Sequence, residues 1–170
     1  MSYSKRYYEN IEREEMAQAI VLARMATELF NPKSMIDIGC GTGFYADQFP
    51  CPARKIDITP NKGVEVVDIS KPVDLGKFDL AICLEVLEHI DEEFSDIAVE
   101  NIKNCCNRVI LSCAMPNQPG ENHVNCQRQS YWEEKFGWKR DFLNEMNIVY
   151  AISKVPHTFW MLRNLMILEK

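Results

Sequence analysis

Three glycines at alternate positions, Gly39, Gly41 and Gly43, follow the apolar stretch 35–38, which carries one acid, Asp37. Glycine at the end of a strand permits positive φ and lets another backbone or a ligand come close. Acids recur at comparable places further along: Asp57 in Lys-Ile-Asp-Ile-Thr and Asp68 in Val-Val-Asp-Ile-Ser. A carboxylate at a strand end can accept both hydroxyls of a ribose. Asp57 is placed to do so; Asp68 can accept from a base amino group, with Ile58 and Ile69 as the apolar neighbours of the acids. A second group combines carboxylates and imidazoles: Glu85, Glu88 and His89, then His123 much later. Such residues move protons near neutral pH, or together hold a divalent metal through hard and borderline ligands. A glycine turn alone signals only a turn, and a single acid at a strand end is ordinarily solvated. It is the combination, in this order, that describes a nucleoside-shaped site. The glycine spacing is G-x-G-x-G, and Phe44 occupies the position where the dinucleotide fingerprint needs its last glycine, which disfavours nicotinamide or flavin dinucleotides.

These groups need elements to position them. Residues 9–30 show apolar positions at three- and four-residue steps after an acidic start, the pattern of a helix that Asn31-Pro32 ends. Strands are expected at 34–39, 53–58, 64–69, 78–84 and 108–115, a short helix at 44–49, and helices at 91–104 and 128–146. The almost unbroken apolar run at 78–84 fits a central strand covered on both faces. Two last strands are expected at 147–152 and 163–170, and the short connection between them favours an antiparallel hairpin. Alternating strands and helices predict an α/β sheet with parallel strands at its centre. No repeat, low-complexity tract or linker interrupts the 170 residues, so one domain over 1–170 is expected.

The net charge of −6 argues against bulk attraction to duplex nucleic acid. There is no apolar run long enough to cross a membrane, and the first fifteen residues are too polar for a secretory signal. The cysteines number seven and form no CxxC pair, which reads as free thiols in a reducing cytoplasm.

Ile-Asp-Ile-Gly-Cys-Gly-Thr-Gly, Ile-Asp-Ile-Thr, Val-Asp-Ile-Ser and Phe-Asp-Leu-Ala-Ile-Cys-Leu-Glu-Val-Leu-Glu-His-Ile together resemble the motifs of class I S-adenosylmethionine-dependent methyltransferases. The resemblance spans nearly the whole chain and is closest to the small, trimmed members. It implies a Rossmann-like fold: a mostly parallel seven-stranded sheet, helices on both faces and an antiparallel last strand. It implies S-adenosylmethionine as cofactor and S-adenosylhomocysteine as product, held by Tyr8, Asp37, Gly39, Cys40, Gly41, Gly43, Asp57, Ile58, Asp68, Ile69, Leu84 and Glu85. One departure is clear: Thr-Pro-Asn-Lys-Gly leaves no room for the usual helix between the second and third strands.

The family layout also puts His123 on the loop facing the same cleft, as a base or a substrate-facing residue. Methyl transfer is an in-line displacement that alignment alone can accelerate, so the acceptor leaves little mark on the sequence. The absence of large insertions points to a small-molecule acceptor of O- or N-methylation, or to a larger substrate read with few contacts; a monomer or homodimer in the cytoplasm is expected. Two other readings stay open. Glu85, Glu88, His89 and His123 resemble the ligands of the metal-dependent branch, which includes small-RNA 2′-O-methyltransferases; a metal and nucleic acid are the less favoured expectation. The chain is also compatible with a cofactor-binding subunit that does no chemistry. Trp132 is expected in the core, Tyr131 there or at the site, Asn125 and Gln127 at the substrate or as helix caps, and His157 on a surface loop.

Overall fold

The computed structural model describes residues 5–170, and side chains from residue 9 onward. Tyr8 therefore lies outside the residues whose side chains are described. Helix α1 spans Lys5–Phe30. Its end is set by Asn31, which adopts φ 45° while its N–H donates to the Thr27 carbonyl; asparagine tolerates this left-handed conformation better than most residues. Seven strands follow: β1 (Met35–Ile38), β2 (Ala53–Asp57), β3 (Glu65–Val66), β4 (Leu80–Leu84), β5 (Arg108–Ser112), β6 (Lys139–Arg140) and β7 (Met166–Glu169). They form one sheet in the order β3-β2-β1-β4-β5-β7-β6. Strands β1 to β5 pair in parallel, and β7 runs antiparallel to both β5 and β6.

Side-chain alternation along the central strands divides the interior in two. Ile36, Ile38, Ala81, Cys83, Val109 and Leu111 face α2 (Ser95–Cys105) and α3 (Gln129–Phe136). Met35, Leu80, Ile82 and Ile110 face α1, α4 (Phe142–Ile152) and α5 (Phe159–Asn164). Both faces are thus covered, which is why β4 is apolar at every position but its last is only half-buried. Trp132 is fully buried, as expected. No helix among the described residues is long and apolar enough to cross a membrane, and all seven cysteines are free thiols.

Several expected elements differ. The stretch 128–146 is two helices separated by β6, because Gly137 ends α3 at φ 60° with its N–H on the Glu133 carbonyl, and Asp141 starts α4 by accepting from the Asn144 N–H at 3.2 Å. Residues 147–152 are not a strand but the end of α4. Strands β6 and β7 do pair antiparallel, but α4 and α5 lie between them in sequence, so there is no tight hairpin. The short helix expected at 44–49 is a 3₁₀ turn, Ala46–Gln48.

The trimming goes further than the sequence suggests. Neither the β2–β3 nor the β3–β4 connection contains a helix. A parallel connection ordinarily needs a dozen residues or more, yet residues 58–64 suffice here. The reason is register: β3 pairs only with Ile56 and Asp57, the last residues of β2, so the chain need not travel back along the strand. After Asp68 the chain is held instead by one buried side chain of α2. Asn101 donates to the carbonyls of Ile69 (3.0 Å) and Lys71 (2.8 Å) and accepts from the Val73 N–H (3.1 Å).

A Gly137→Ala substitution meets no neighbouring atom, so only backbone strain resists it. It is expected to lower the unfolding free energy by about 1 kcal/mol, read as a lower urea midpoint at unchanged slope.

Candidate active site

Strand β1 lies between β2 and β4: the chain continues from β1 to β2 on one side, and crosses from β3 back to β4 on the other, so the strand order reverses beside β1. In open α/β sheets this is where ligands bind. The turn there has Gly39, Gly41 and Gly43 at φ 71°, 57° and 84°. At Gly39 a Cβ would also overlap the Val86 side chain that follows β4, and at Gly43 the aliphatic stem of Lys55 from β2. Glycine is thus required twice over, by conformation and by close packing.

Asp57 ties this turn to β2. Its Oδ2 accepts from the Gly41 N–H at 2.8 Å and its Oδ1 from the Thr59 N–H at 2.7 Å. Asn61 closes the short β2–β3 loop onto the same turn by donating to the Gly41 carbonyl at 2.9 Å. Beside Asp57, Ile58 projects into solvent at 63% exposure. Cys40 is buried, its thiol pushed far up by burial, and Leu84 is half-buried. Asp68 folds back on itself, accepting from the Ser70 N–H (3.0 Å) and hydroxyl (2.5 Å) and pairing with Lys71 at 2.8 Å. These bonds to Lys71 and Ser70 hold its carboxyl below the usual range. Ile69 is buried in the core.

Asp37 is buried within β1, and its Oδ2 has no hydrogen-bond partner among the described residues. Burial pushes its pKa up to about 7, opposed by a hydrogen bond from the Ala46 backbone. A comparable acid sits on α1. Glu15 accepts from the Tyr45 hydroxyl at 3.0 Å and the Trp160 indole at 3.2 Å, while Gln18 donates to Tyr45 at 2.6 Å and accepts from the Thr158 N–H at 2.7 Å. Burial raises Glu15 to about 7 as well. This network joins α1, the glycine turn and the start of α5.

At the end of β4, Glu85 takes φ 53°, a conformation that costs a non-glycine residue free energy and needs surrounding support. That support is visible. Its N–H donates to the Ser112 carbonyl at 2.9 Å, and its carboxylate accepts from Gln118 at 2.8 Å and Asn164 at 3.0 Å. Asn164 also donates to Gln118 at 2.8 Å. The left-handed turn separates Glu85 from the 3₁₀ turn Leu87–His89. Glu85, Glu88 and His89 therefore do not lie on one helical turn as expected, although Glu85 stays close enough to Glu88 for its charge to act on it. Glu88, His89 and His123 do come together: one ligand atom of each lies within 4.8 Å of the others. The two imidazoles pack edge to face at 5.0 Å. Glu88 is fully buried; its Oε1 accepts from the Ala114 N–H at 3.1 Å and its Oε2 has no hydrogen-bond partner among the described residues. Burial, then the charge of Glu85, pushes its carboxyl well up, while burial lowers His89. The backbone carbonyl of Glu88 accepts from the N–H groups of Val124 and Asn125, both at 2.9 Å, which brings the 123–125 loop to this corner. The His123 ring lies on Gly120, where a Cβ would overlap it.

Asn125 is buried and accepts from Gln127, and neither caps α3. Tyr131 sits with Ser95 and Glu92 at the surface side of α2, and His157 is exposed. Sequence reasoning missed Asn61, Gln118, Asn164, Asn101 and Glu15. Asn61 stands shortly after Asp57 in sequence but 20 residues from its partner Gly41, and the Gln118 and Asn164 bonds to Glu85 span 33 and 79 residues.

Residues 8–150 match the family described as the methyltransferase domain. The chain belongs to this family. Its fold is that of a class I methyltransferase. No curated protein matches this methyltransferase in sequence. Among solved structures it is similar to a Nostoc punctiforme protein described as a candidate O-methyltransferase (15% identity, 97% of this chain and 59% of that one, TM-score 0.67). It is similar to the Burkholderia thailandensis 1,6-didemethyltoxoflavin-N1-methyltransferase, bound to 1,6-didemethyltoxoflavin and S-adenosylhomocysteine (13%, 97% and 83%, 0.62). It is also similar to the small RNA methyltransferase HEN1 (18%, 83% and 23%, 0.53). At these identities the likeness is one of fold. The methyltransferase spans only 59% of the Nostoc protein's length.

The unpartnered Asp37 oxygen, the exposed Ile58 and the glycine turn fit a cofactor with a nucleoside at one end and a cationic tail at the other.

The raised acids set a pH dependence. Between their ordinary values, 3.8 for Asp37 and 4.5 for Glu15, and about 7, the folded chain binds more protons than the unfolded one. Stability at these positions is therefore present at low pH, is lost as pH rises to about 7, and then levels off. The double substitution Asp37→Asn, Glu15→Gln is expected to flatten this fall in urea unfolding measured from pH 4 to 8. A profile parallel to the unsubstituted protein's contradicts the assignment.

Proposed function

We propose that this chain is a catalytically active single domain, residues 1–170, that methylates an O or N atom of a small-molecule acceptor in the cytoplasm. The observation that carries this reading is the glycine turn held against Asp57 at the switch point, with an exposed apolar residue beside it. Asp57 and Ile58 take the ribose and base, with Asp68 and the segment around Ile69 bordering the base. Gly39, Cys40, Gly41 and Gly43 admit the cofactor's tail, Asp37 faces its ammonium end, and Leu84 and Glu85 close the site from β4. Tyr8 is assigned to the cofactor by the family layout alone.

When bound, S-adenosylmethionine supplies a methyl group on a sulfonium whose charge vanishes on transfer. What the protein adds is alignment and a place for the acceptor's proton. His123, held against Gly120 and beside His89, is the base of this reading. The left-handed Glu85, fixed by Gln118 and Asn164, is a rigid wall at the end of β4 rather than a mobile acid. The Burkholderia neighbour, by its name, methylates a small molecule, which supports a small acceptor here.

A second reading is favoured by one observation, the grouping of Glu88, His89 and His123. A carboxylate and two imidazoles suit a divalent ion of the Zn²⁺, Mn²⁺ or Fe²⁺ kind, and the unpartnered Glu88 oxygen is available to it. In this reading the enzyme is a metal-dependent RNA 2′-O-methyltransferase, with Glu85 outside the ligand set.

Calorimetric titration with S-adenosylhomocysteine is expected to show saturable one-to-one binding. Asp57→Ala should weaken it roughly 10- to 100-fold, since hydrogen bonds to a charged group are worth about 1.5–3 kcal/mol. His123→Ala should leave it within about twofold while lowering methyl transfer by roughly 100-fold or more. Absence of binding sinks the first reading. Titration of chelator-stripped protein with Mn²⁺ decides the second: a site lost in both His89→Ala and His123→Ala supports it, and no site rules it out.

A further inference from the structure

A cavity of about 530 Å³ opens where residues 115–117, the start of α3 and Arg163 of α5 meet. Its size is that of a small-molecule site. Three arginines line it: Arg128, Arg140 and Arg163. Arg140 is already committed, pairing with Glu133 at 2.6 Å and Glu145 at 2.7 Å and donating to the Gln129 carbonyl oxygen of the side-chain amide at 3.1 Å. It forms a fixed floor in which two carboxylates face one guanidinium, so the positive charge of the cavity comes from Arg128 and Arg163. Arg128 and Arg163 are exposed, and neither forms an ion pair with an acid among the described residues. Glu133, the one acid in the lining, is taken by Arg140. The cavity is therefore a local cationic site on a chain of net charge −6. The first turn of α3 carries no acid and no side-chain cap, so its N–H groups add to the same sign.

Two segments that line the cavity run directly into the residues of the Glu85 clamp. Residues 115–117 belong to the turn in which Gln118 donates to the Met115 carbonyl at 2.9 Å, and Arg163 immediately precedes Asn164. Gln118 and Asn164 are the residues that hold Glu85. A molecule reaching the end of β4 from this side thus passes the two free guanidinium groups, whose planar fork suits carboxylate and phosphate.

We propose that this cavity receives the anionic group, a carboxylate or a phosphate monoester, of the small acceptor, and that Arg128 and Arg163 are its binding residues; this rests on the methyl-transfer reading given above. Arg128 and Arg163 determine which acceptors enter, and take no part in the transfer itself.

The test uses the full chain, labelled with nitrogen-15, titrated separately with inorganic phosphate and with benzoate while amide and arginine Nε–H resonances are followed. Saturable shifts at Asn117, Gln129 and Ser130 are expected, with a dissociation constant on the order of 1 mM. The better probe tells phosphate from carboxylate. In the double variant Arg128→Gln, Arg163→Gln the same titration is expected to weaken at least tenfold, while calorimetry with S-adenosylhomocysteine stays unchanged. No shift in the cavity by either probe, or equal affinity in the variant, overturns the proposal. Shifts there with an oligoribonucleotide and none with phosphate or benzoate overturn the small-acceptor assignment. Anion binding in a protein that fails to bind S-adenosylhomocysteine overturns the methyl-transfer reading, and the acceptor assignment with it, but leaves the anion site itself demonstrated.

Discussion

The bond from the Gly41 N–H to the Asp57 carboxylate fixes the end of β1 to the end of β2. Much of the site's geometry depends on it. A turn built from three positive-φ glycines has few intrinsic preferences to hold it. Its shape comes from what surrounds it: Val86 against Gly39, Lys55 across Gly43, and Asp57 and Asn61 binding the N–H and carbonyl of Gly41. The same carboxylate holds Thr59 at the start of the shortened loop. One side chain thus links the turn and the loop that replaces a helix.

Compensation for missing helices is the second theme. The family resemblance implies a helix between β2 and β3, and this chain has none there. Here single polar side chains hold the chain instead: Asn61 over the glycine turn and Asn101 beneath the strand-like segment after Asp68. Each satisfies backbone groups that a helix would have satisfied internally, as buried backbone requires. Both are asparagines, whose amide can donate and accept at once.

On the other side of the sheet's opening, buried polar groups outnumber obvious ligands. Glu85, Gln118 and Asn164 form a network around a strained backbone, with the Asn164 Oδ1 without a partner among the described residues. Glu15, Gln18, Tyr45, Thr158 and Trp160 form another. Networks of this kind are costly unless satisfied and rigid when they are. They place the rigid walls of the site on elements distant in sequence, and leave the free arginines at its margin.

The sequence by itself determined the parallel sheet, the glycine turn and the acids at the ends of β1 and β2, because hydrophobic period and glycine spacing are local signals. Local signals also mark the break between α3 and α4, where Gly137 ends one helix and Asp141 caps the next, so that the apolar stretch 147–152 continues α4 instead of forming the expected strand. What only the tertiary structure decided is which polar groups meet. Glu85 stays close enough to Glu88 for its charge to raise that carboxyl, but its left-handed turn also gives it Gln118 and Asn164 as partners and leaves it outside the group that Glu88 forms with His89 and His123. His123 joins Glu88 and His89 because the 123–125 loop bonds to the Glu88 carbonyl. Such meetings depend on backbone turns and on partners dozens of residues away, and no local pattern of residue types encodes them.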